Sequence, residues 1–179
     1  MAKSLKVNFI FNFANTIFGL VFPLITFPYI SRVLLADGIG LVQFYQSIIN
    51  YIALFSALGI PLYAVKEVAK VKNDVCKRNQ VLAEILILYL SLTLVGYLVA
   101  TIIMLTVPEI FANWKIFSLL SLHLLLVALG SEWFYQGIED FKYISIRSLS
   151  VKFMMLISLF MFVHDKGDLL IYALLLVLA

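Results

Sequence analysis

The sequence contains few charged residues and almost no cysteine. Only 13% of its 179 residues are charged, about half the share found in soluble domains, whereas 64% are hydrophobic. The single cysteine, Cys76, excludes an internal disulfide and a metal cage made of cysteines. The two histidines, His123 and His164, lie far apart in apolar segments with no evident zinc-binding partner. We therefore expect neither a metal site nor a cofactor.

Long apolar segments account for most of the chain. Five of them have about the 20 residues that a helix needs to cross about 30 Å of hydrocarbon, and they predict helices over residues 7–29, 39–63, 81–107, 116–136 and 144–163. A sixth segment, residues 169–179, would rise only ~16 Å as a helix. With a mean hydropathy of +1.07, the sequence predicts an all-α integral membrane protein. We expect a single transmembrane helical domain over residues 1–179, with five full helices and an incomplete sixth.

Lysine and arginine are concentrated on alternate connections between the predicted helices. Because successive connections lie on opposite sides of the membrane, the basic residues can be counted for each side. Ten of the 13 lie on one side, and only Arg32, Lys115 and Lys166 lie on the other. Because basic residues accumulate in cytoplasmic loops, the N-terminus and the loops around residues 64–80 and 137–143 are predicted to be cytoplasmic. The basic residues form no single patch, so the net charge of +3 does not indicate a nucleic-acid partner.

Amide side chains form a stripe on each of the first two predicted helices. The stripes consist of Asn8, Asn12 and Asn15 on the first helix and of Gln43, Gln46 and Asn50 on the second. Spacings of three and four residues place each set on one helix face. Such stripes either join helices by hydrogen bonds worth about 0.6 kcal/mol each or line a hydrated passage for a polar solute. An amide both donates and accepts hydrogen bonds, which suits sugar hydroxyls.

Five further residues near the ends of predicted helices are candidate binding residues. Arg147 and Lys152 enter the fifth helix too deeply to be loop residues, and they act either as topology anchors or as an anion site. Arg32 lies at the outer end of the first helix, where it reaches the interface or a ligand. Glu132 and Gln136 are four residues apart near the inner end of the fourth helix, so they either pair with each other or face a passage.

Prolines and aromatic residues provide two further expectations. Pro23 and Pro28 each remove a backbone donor from the first helix, which predicts a kinked or locally unwound outer half. Trp133, Tyr135 and Tyr143 are aromatic residues of the kind that gather at the membrane interface, where we expect them.

Several segments together resemble one known family. They are residues 27–34 (Phe-Pro-Tyr-Ile-Ser-Arg-Val-Leu), 38–42 with Gln46 and Ser47, 58–61 with Tyr63, 66–70 and the block 133–152. In order and spacing they resemble Wzx-type flippases, the polysaccharide-transporter branch of the MOP exporter superfamily. Two departures are present: residues 35–37 (Leu-Ala-Asp) replace the family's usual Gly-Pro-Glu, and Lys66 stands where arginine is common.

The resemblance implies a transporter. Flippases of this kind have about twelve helices in two lobes around a central cavity, and this chain resembles the N-terminal lobe. They move an undecaprenyl-diphosphate-linked oligosaccharide, an O-antigen or capsule repeat unit, from the inner to the outer leaflet of the bacterial cytoplasmic membrane. Arg147 and Lys152 would then face the substrate, with Arg32 at an outer gate. We expect this chain alone to be inactive without a second lobe or a homo-oligomer, and glycan polymerases are candidate partners.

Other functions compete with this interpretation. No nucleotide-binding loop or catalytic triad is visible, so we expect no enzyme. A multidrug or cation antiporter of the same superfamily would need a buried carboxylate, for which Glu132 is the candidate. A non-functional truncated remnant is the third alternative.

The predicted orientation is testable with the native cysteine. Cys76 lies in the most basic loop, so a membrane-impermeant maleimide should label it in inverted vesicles and leave it unlabelled in intact spheroplasts. A Cys76→Ser variant measures the background. Labelling from outside the spheroplast would reverse the topology.

Overall fold

The computed structural model describes the backbone of residues 5–178 and the side chains of residue 13 and residues 15–178. Regular structure in this part of the chain is entirely helical. The α-helices are α1 Leu5–Val33, α2 Leu35–Ala57, α3 Ile60–Lys70, α4 Val75–Thr106, α5 Pro108–Ala112, α6 Trp114–Gly130, α7 Glu132–Gly137, α8 Phe141–Phe162 and α9 Leu169–Leu178. A 3₁₀ turn, Lys166–Asp168, precedes α9.

Five helical segments are long and apolar enough to cross a membrane. They are Asn15–Val33, Leu35–Ala57, Val75–Thr106, Trp114–Gly137 and Phe141–Phe162. Backbone groups in hydrocarbon must be hydrogen-bonded within the protein, and a helix satisfies them within a single segment. The predicted all-α membrane fold with five spanning helices is therefore confirmed.

The chain divides into two compact units. Unit 1 consists of Met1–Gln43 and Asp140–Ala179, and unit 2 consists of Phe44–Glu139. In unit 1, α8 packs against both α1 and α9. In unit 2, α4 packs against α6, and α3 packs against α7. The single domain expected over residues 1–179 stays a prediction.

The second spanning helix ends earlier than its hydropathy suggests. It was expected to reach residue 63, but α2 ends at Ala57 and a separate helix, α3, begins at Ile60. The break occurs because Leu58 and Gly59 adopt left-handed backbone angles, with φ of 41° and 76°, which glycine adopts without strain. Pro61 then starts α3, since a proline in the first helical turn leaves no hydrogen bond unmade.

The fourth predicted helix is interrupted too. Instead of one helix over residues 116–136, α6 ends at Gly130 and α7 begins at Glu132. Ser131 between them has a left-handed φ of 46°, which stops the α6 hydrogen-bond ladder.

The prolines do not unwind α1. The helix is continuous from Leu5 to Val33 through Pro23 and Pro28, so the expected local unwinding is wrong, and the expected kink stays a prediction. Two hydroxyls of this segment bond back to the backbone: Thr26 donates to the Phe22 carbonyl (3.0 Å) and Ser31 donates to the Pro28 carbonyl (3.1 Å). Neither is a carbonyl that a proline leaves without its donor, because those belong to Gly19 and Leu24. Prolines are tolerated in membrane helices when side chains and neighbouring helices compensate for the missing backbone bond.

Unit 2 has a hydrophobic cluster at the junction of α3, α4, α6 and α7. Its buried residues are Ile60, Ala64, Val68, Ile85, Tyr89, Ala128 and Trp133. Trp133 is only 4% exposed, and its expected place at the membrane interface stays a prediction. Its ring packs edge-on against Phe134 with centroids 6.4 Å apart. The tryptophan therefore belongs to the core that holds α7 on α3.

The turn before α9 is closed by a capping box. The Asp168 carboxylate accepts hydrogen bonds from the backbone N–H groups of Asp165 and His164, each at 2.9 Å. These two bonds lower the pKa of Asp168, because they favour the ionised carboxylate. The start of α9 is thus held by polar contacts outside the spanning helices.

The contact between α3 and α7 depends on Gly137. A Cβ atom at this position would lie 2.7 Å from both Cβ and Cγ1 of Val68 and 3.1 Å from the Val65 carbonyl oxygen. Val68 is fully buried, and its branched side chain has little freedom to move away. We expect Gly137→Ala to destabilise the protein by about 1–3 kcal/mol through overpacking, measured as a lower thermal unfolding midpoint in detergent.

Gly130→Ala is the matched control for this prediction. A Cβ at Gly130 meets nothing within 4 Å, so the substitution should leave the midpoint unchanged or raise it, because alanine favours helix. Equal midpoints for the two variants would contradict the close packing of α7 on α3.

Candidate functional site

Helices α1 and α8 pack side by side in a fixed register. The Tyr29 hydroxyl donates a 2.8 Å hydrogen bond to the Val163 carbonyl, and its ring lies 4.5 Å from that of Phe160. Further toward the start of both helices, the Lys152 Nζ atom lies 3.7 Å from the position that a Cβ of Gly19 would occupy. Residue numbers rise in the same direction along both helices, so α1 and α8 run parallel.

Polar residues occupy the face of α8 that carries Lys152. Ser145, Ser148 and Lys152 are three and four residues apart, which places them on one face of the helix. On α1, Asn15 lies one turn before Gly19, and on α8, Ser148 lies one turn before Lys152. We call these five residues, Asn15, Gly19, Ser145, Ser148 and Lys152, the α1–α8 seam.

Lys152 lies near the middle of its spanning helix. It is the twelfth of the 22 residues of α8, and Arg147 is the seventh. The sequence placed both cations near the cytoplasmic end of the fifth helix; α8 begins three residues earlier than predicted, and the membrane depth of the two cations stays a prediction. A basic residue at a helix centre costs about 2.5–3.5 kcal/mol to insert.

No carboxylate compensates this charge among the described side chains. Ion pairs are formed there by Lys70 with Glu67, Lys72 with Glu139 and Lys77 with Asp74, and none of these pairs includes Lys152. Basic residues inside a membrane normally face a partner, a wet cavity or a substrate. The ammonium of Lys152 is therefore the leading candidate for a functional group in this part of the chain.

Asn15 also has an unused polar atom. Its Oδ1 is buried and accepts no hydrogen bond. A buried polar atom without a partner costs about 1–3 kcal/mol, so a residue kept there at the expense of stability points to a role other than packing. The other members of its stripe, Asn8 and Asn12, lie outside the described side chains.

The remaining candidates of unit 1 lie away from this seam or take other partners. Arg147 is half-buried, whereas Arg32 is exposed at the end of α1. Gln43 shares a hydrogen bond with the hydroxyl of Tyr172 on α9. Gln43 therefore joins two helices, which is the structural interpretation of its stripe.

Unit 2 holds the other four candidates as two pairs. Gln46 Nε2 donates to Asn50 Oδ1 at 3.1 Å, while Gln46 Oε1 is buried and unpaired. Gln136 Nε2 donates to Glu132 Oε1 at 3.3 Å. Glu132 is exposed at the start of α7, so it lacks the burial within unit 2 that a proton-relay carboxylate requires.

Four residues of the contact between α1 and α8 were not among the candidates predicted from the sequence. Tyr29 and Gly19 set the register of α1 on α8, and Ser145 and Ser148 extend the polar face of Lys152. A signal was available for three of them, because small residues inside membrane helices mark close helix contacts. The hydrogen bond of Tyr29 had no such signal.

The seam is suited to binding an anion. Its ammonium, hydroxyl and amide groups all donate hydrogen bonds, and an anion accepts them. Phosphate oxygens form especially strong bonds with charged donors. Among the described residues, no group of three histidine, cysteine, aspartate or glutamate side chains comes together in a way that would hold a metal ion.

Comparison with known proteins identifies relatives along the whole chain. The family described as "Polysaccharide biosynthesis protein" matches residues 5–179. A protein of Escherichia coli (strain K12) named "Putative O-antigen transporter" is 26% identical over 153 residues, which cover 83% of this chain and 36% of that protein. A protein of the same name from Shigella dysenteriae is 25% identical over 168 residues, covering 94% of this chain and 41% of that protein.

The chain thus spans about two fifths of the length of these curated relatives. No solved structure matches it.

The unpaired Asn15 oxygen leads to a stability prediction. Asn15→Leu removes a buried acceptor that has no partner, so the thermal unfolding midpoint in detergent should stay the same or rise. Gln43→Leu is the comparison variant, because its amide is hydrogen-bonded to Tyr172 and its loss should lower the midpoint. A drop for Asn15→Leu as large as that for Gln43→Leu would show that Asn15 has a structural role.

Proposed function

The chain belongs to the polysaccharide biosynthesis protein family, and from this premise we propose that it takes part in moving a lipid-linked oligosaccharide across a bacterial cytoplasmic membrane. The names of the two relatives describe O-antigen transporters, which supports a polysaccharide cargo. In our proposal the cargo is an undecaprenyl-diphosphate-linked repeat unit that passes from the inner to the outer leaflet. The N-terminus is cytoplasmic, in agreement with the distribution of basic residues.

The position of Lys152 carries this proposal. An ammonium near the centre of a spanning helix, beside Gly19 and without a carboxylate partner among the described side chains, provides an anion with a partner at membrane depth. The pyrophosphate of the cargo is such an anion. Ser148 lies one turn before Lys152 on α8, and Asn15 lies one turn before Gly19 on α1; their hydroxyl and amide groups would donate to the remaining phosphate oxygens.

Arg147 receives the pyrophosphate before Lys152 does. It lies five residues nearer the start of α8, on the cytoplasmic side in the proposed topology. A guanidinium binds phosphate through two parallel hydrogen bonds, whereas an ammonium binds it as a point charge. In this order of events, Arg147 captures the headgroup and Lys152 holds it deeper in the membrane.

The cargo needs only a narrow polar route. Its lipid tail stays in hydrocarbon, so only the pyrophosphate and the sugars require polar contacts. The amide pair Gln46–Asn50 on α2 keeps hydrogen-bonding capacity at the unpaired Gln46 oxygen, and it is assigned to the sugars. Because the relatives are more than twice as long as the matched segment, the passage is completed by a second lobe or by a second copy of the chain. The chain performs no catalysis.

Binding to the intact chain tests this function. The protein is reconstituted in nanodiscs of zwitterionic lipid, and undecaprenyl diphosphate is titrated against it. Lys152→Ala and Arg147→Ala should each weaken binding about tenfold or more, since a hydrogen bond to a charged group contributes about 1.5–3 kcal/mol. Arg147→Lys should recover only part of the affinity, because the bidentate geometry is lost.

Lys77→Ala is the control, because Lys77 is exposed and paired with Asp74 (3.5 Å). Undecaprenol, which lacks phosphate, should bind the parent chain and the Lys152 variant with equal, low affinity. If Lys152→Ala and Arg147→Ala both bind undecaprenyl diphosphate as tightly as Lys77→Ala does, the two cations are topology anchors and the proposed site is wrong.

A further inference from the structure

Helix α3 has an outer face that no part of unit 2 covers. Ile60, Ala64 and Val68 form its buried stripe against α7 and α4. At 100° per residue, Leu62 and Lys66 project on the opposite side. Leu62 is 82% exposed and Tyr63 is 58% exposed. We call Leu62, Tyr63 and Lys66 the α3 outer face.

This face joins apolar and cationic character in one helical turn. Lys66 stands four residues after Leu62, directly over it along the helix. Leu58, which precedes α3, is 69% exposed and extends the apolar surface. An apolar surface of this kind is unfavourable in water, so a hydrophobic medium covers it. A helix of 11 residues is too short to span a membrane by itself.

Positive charge is concentrated around the same helix. Residues 60–78 contain five basic residues and two acidic ones, so this stretch alone carries a net charge of +3, equal to that of the whole chain. Three of the lysines have acidic partners: Lys70 with Glu67, Lys72 with Glu139 and Lys77 with Asp74.

Arg78 and Lys66 are the two basic residues of this stretch outside those pairs. The Arg78 guanidinium lies over the Phe134 ring, 5.7 Å from its centroid, and donates to the Lys72 carbonyl. Lys66 is exposed, and it forms no ion pair with the described residues. Its charge is therefore available to a partner outside unit 2.

We propose that the α3 outer face is a binding site for an anionic phospholipid at the membrane interface. Leu62 and Leu58 enter the acyl region, Tyr63 lies at the headgroup level, and the Lys66 ammonium pairs with the lipid phosphate. Charge complementarity favours this partner. On the protein, apolar side chains lie one turn below the Lys66 ammonium, and in an anionic phospholipid, acyl chains lie below a negatively charged phosphate. Basic groups near an anionic surface favour binding by about fivefold each.

The experiment places a reporter next to this face in the full chain. Leu58→Cys in a Cys76→Ser background is labelled with a small environment-sensitive fluorophore and reconstituted into vesicles. Phosphatidylglycerol or phosphatidylcholine with brominated acyl chains is then included at the same mole fraction. We expect brominated phosphatidylglycerol to quench the label more strongly, and Lys66→Ala to reduce this preference about fivefold.

Two variants control for loss of charge and loss of fold. Lys66→Arg keeps the positive charge and should keep the preference, and so should Lys115→Ala, which removes a cation from the α6 region beside Trp114. Equal quenching by both lipids, or an unchanged preference in Lys66→Ala, would overturn the proposal. Quenching of the label by aqueous iodide instead of by the brominated lipids would show that water covers the face. Protection of the label that increases with protein density in the vesicles would show that a second copy of the chain covers it. No undecaprenyl lipid is present, so the outcome is independent of the proposed transport function.

Discussion

Hydrocarbon offers no hydrogen bonds, and most of this structure follows from that constraint. The spanning segments are helices because a helix satisfies its backbone internally. Hydroxyls within them bond back to the chain, as when Thr93 donates to the Tyr89 carbonyl and Thr101 donates to the Tyr97 carbonyl, both at 2.8 Å. Against this background, a buried polar atom without a partner stands out. The described side chains contain four such atoms, and two belong to Asn15 and Gln46, which the amide stripes had already indicated.

Because hydrocarbon offers no hydrogen bonds, a positive charge among apolar side chains needs a partner. Two cations of this chain are in that position. At the α1–α8 seam, the Lys152 ammonium lies beside Gly19, and the other residues of the seam carry hydroxyl and amide groups. On α3, Lys66 has no acidic partner among the described residues and stands above exposed leucines. We propose that both cations bind phosphate, at the seam the headgroup of a transported lipid and on α3 the headgroup of a phospholipid that is not transported.

Agreement between sequence and structure is best for properties that depend on composition. Five apolar segments predicted five spanning helices, and the resemblance to polysaccharide transporters agrees with the family match over residues 5–179. Agreement fails where single residues decide the backbone path. Leu58, Gly59 and Ser131 adopt left-handed backbone angles that divide two predicted helices. Hydropathy does not predict these angles, because all three residues are also compatible with a helix. At the break between α2 and α3, Gly59 and Pro61 were the residues in the sequence that could have indicated the end of one helix and the start of the next.

The sequence by itself determined that this chain is an all-α membrane protein, where its cations concentrate and which residues are candidates for binding, since these depend on side-chain chemistry and on periodicity within one segment. The tertiary structure decided which candidates act together. Gly19 meets Lys152, Gln43 joins Tyr172, and Trp133 enters a core. The first two outcomes depend on the register between helices that are more than a hundred residues apart in the chain, as with Tyr29 and Val163. Periodicity within a single helix contains no information about that register.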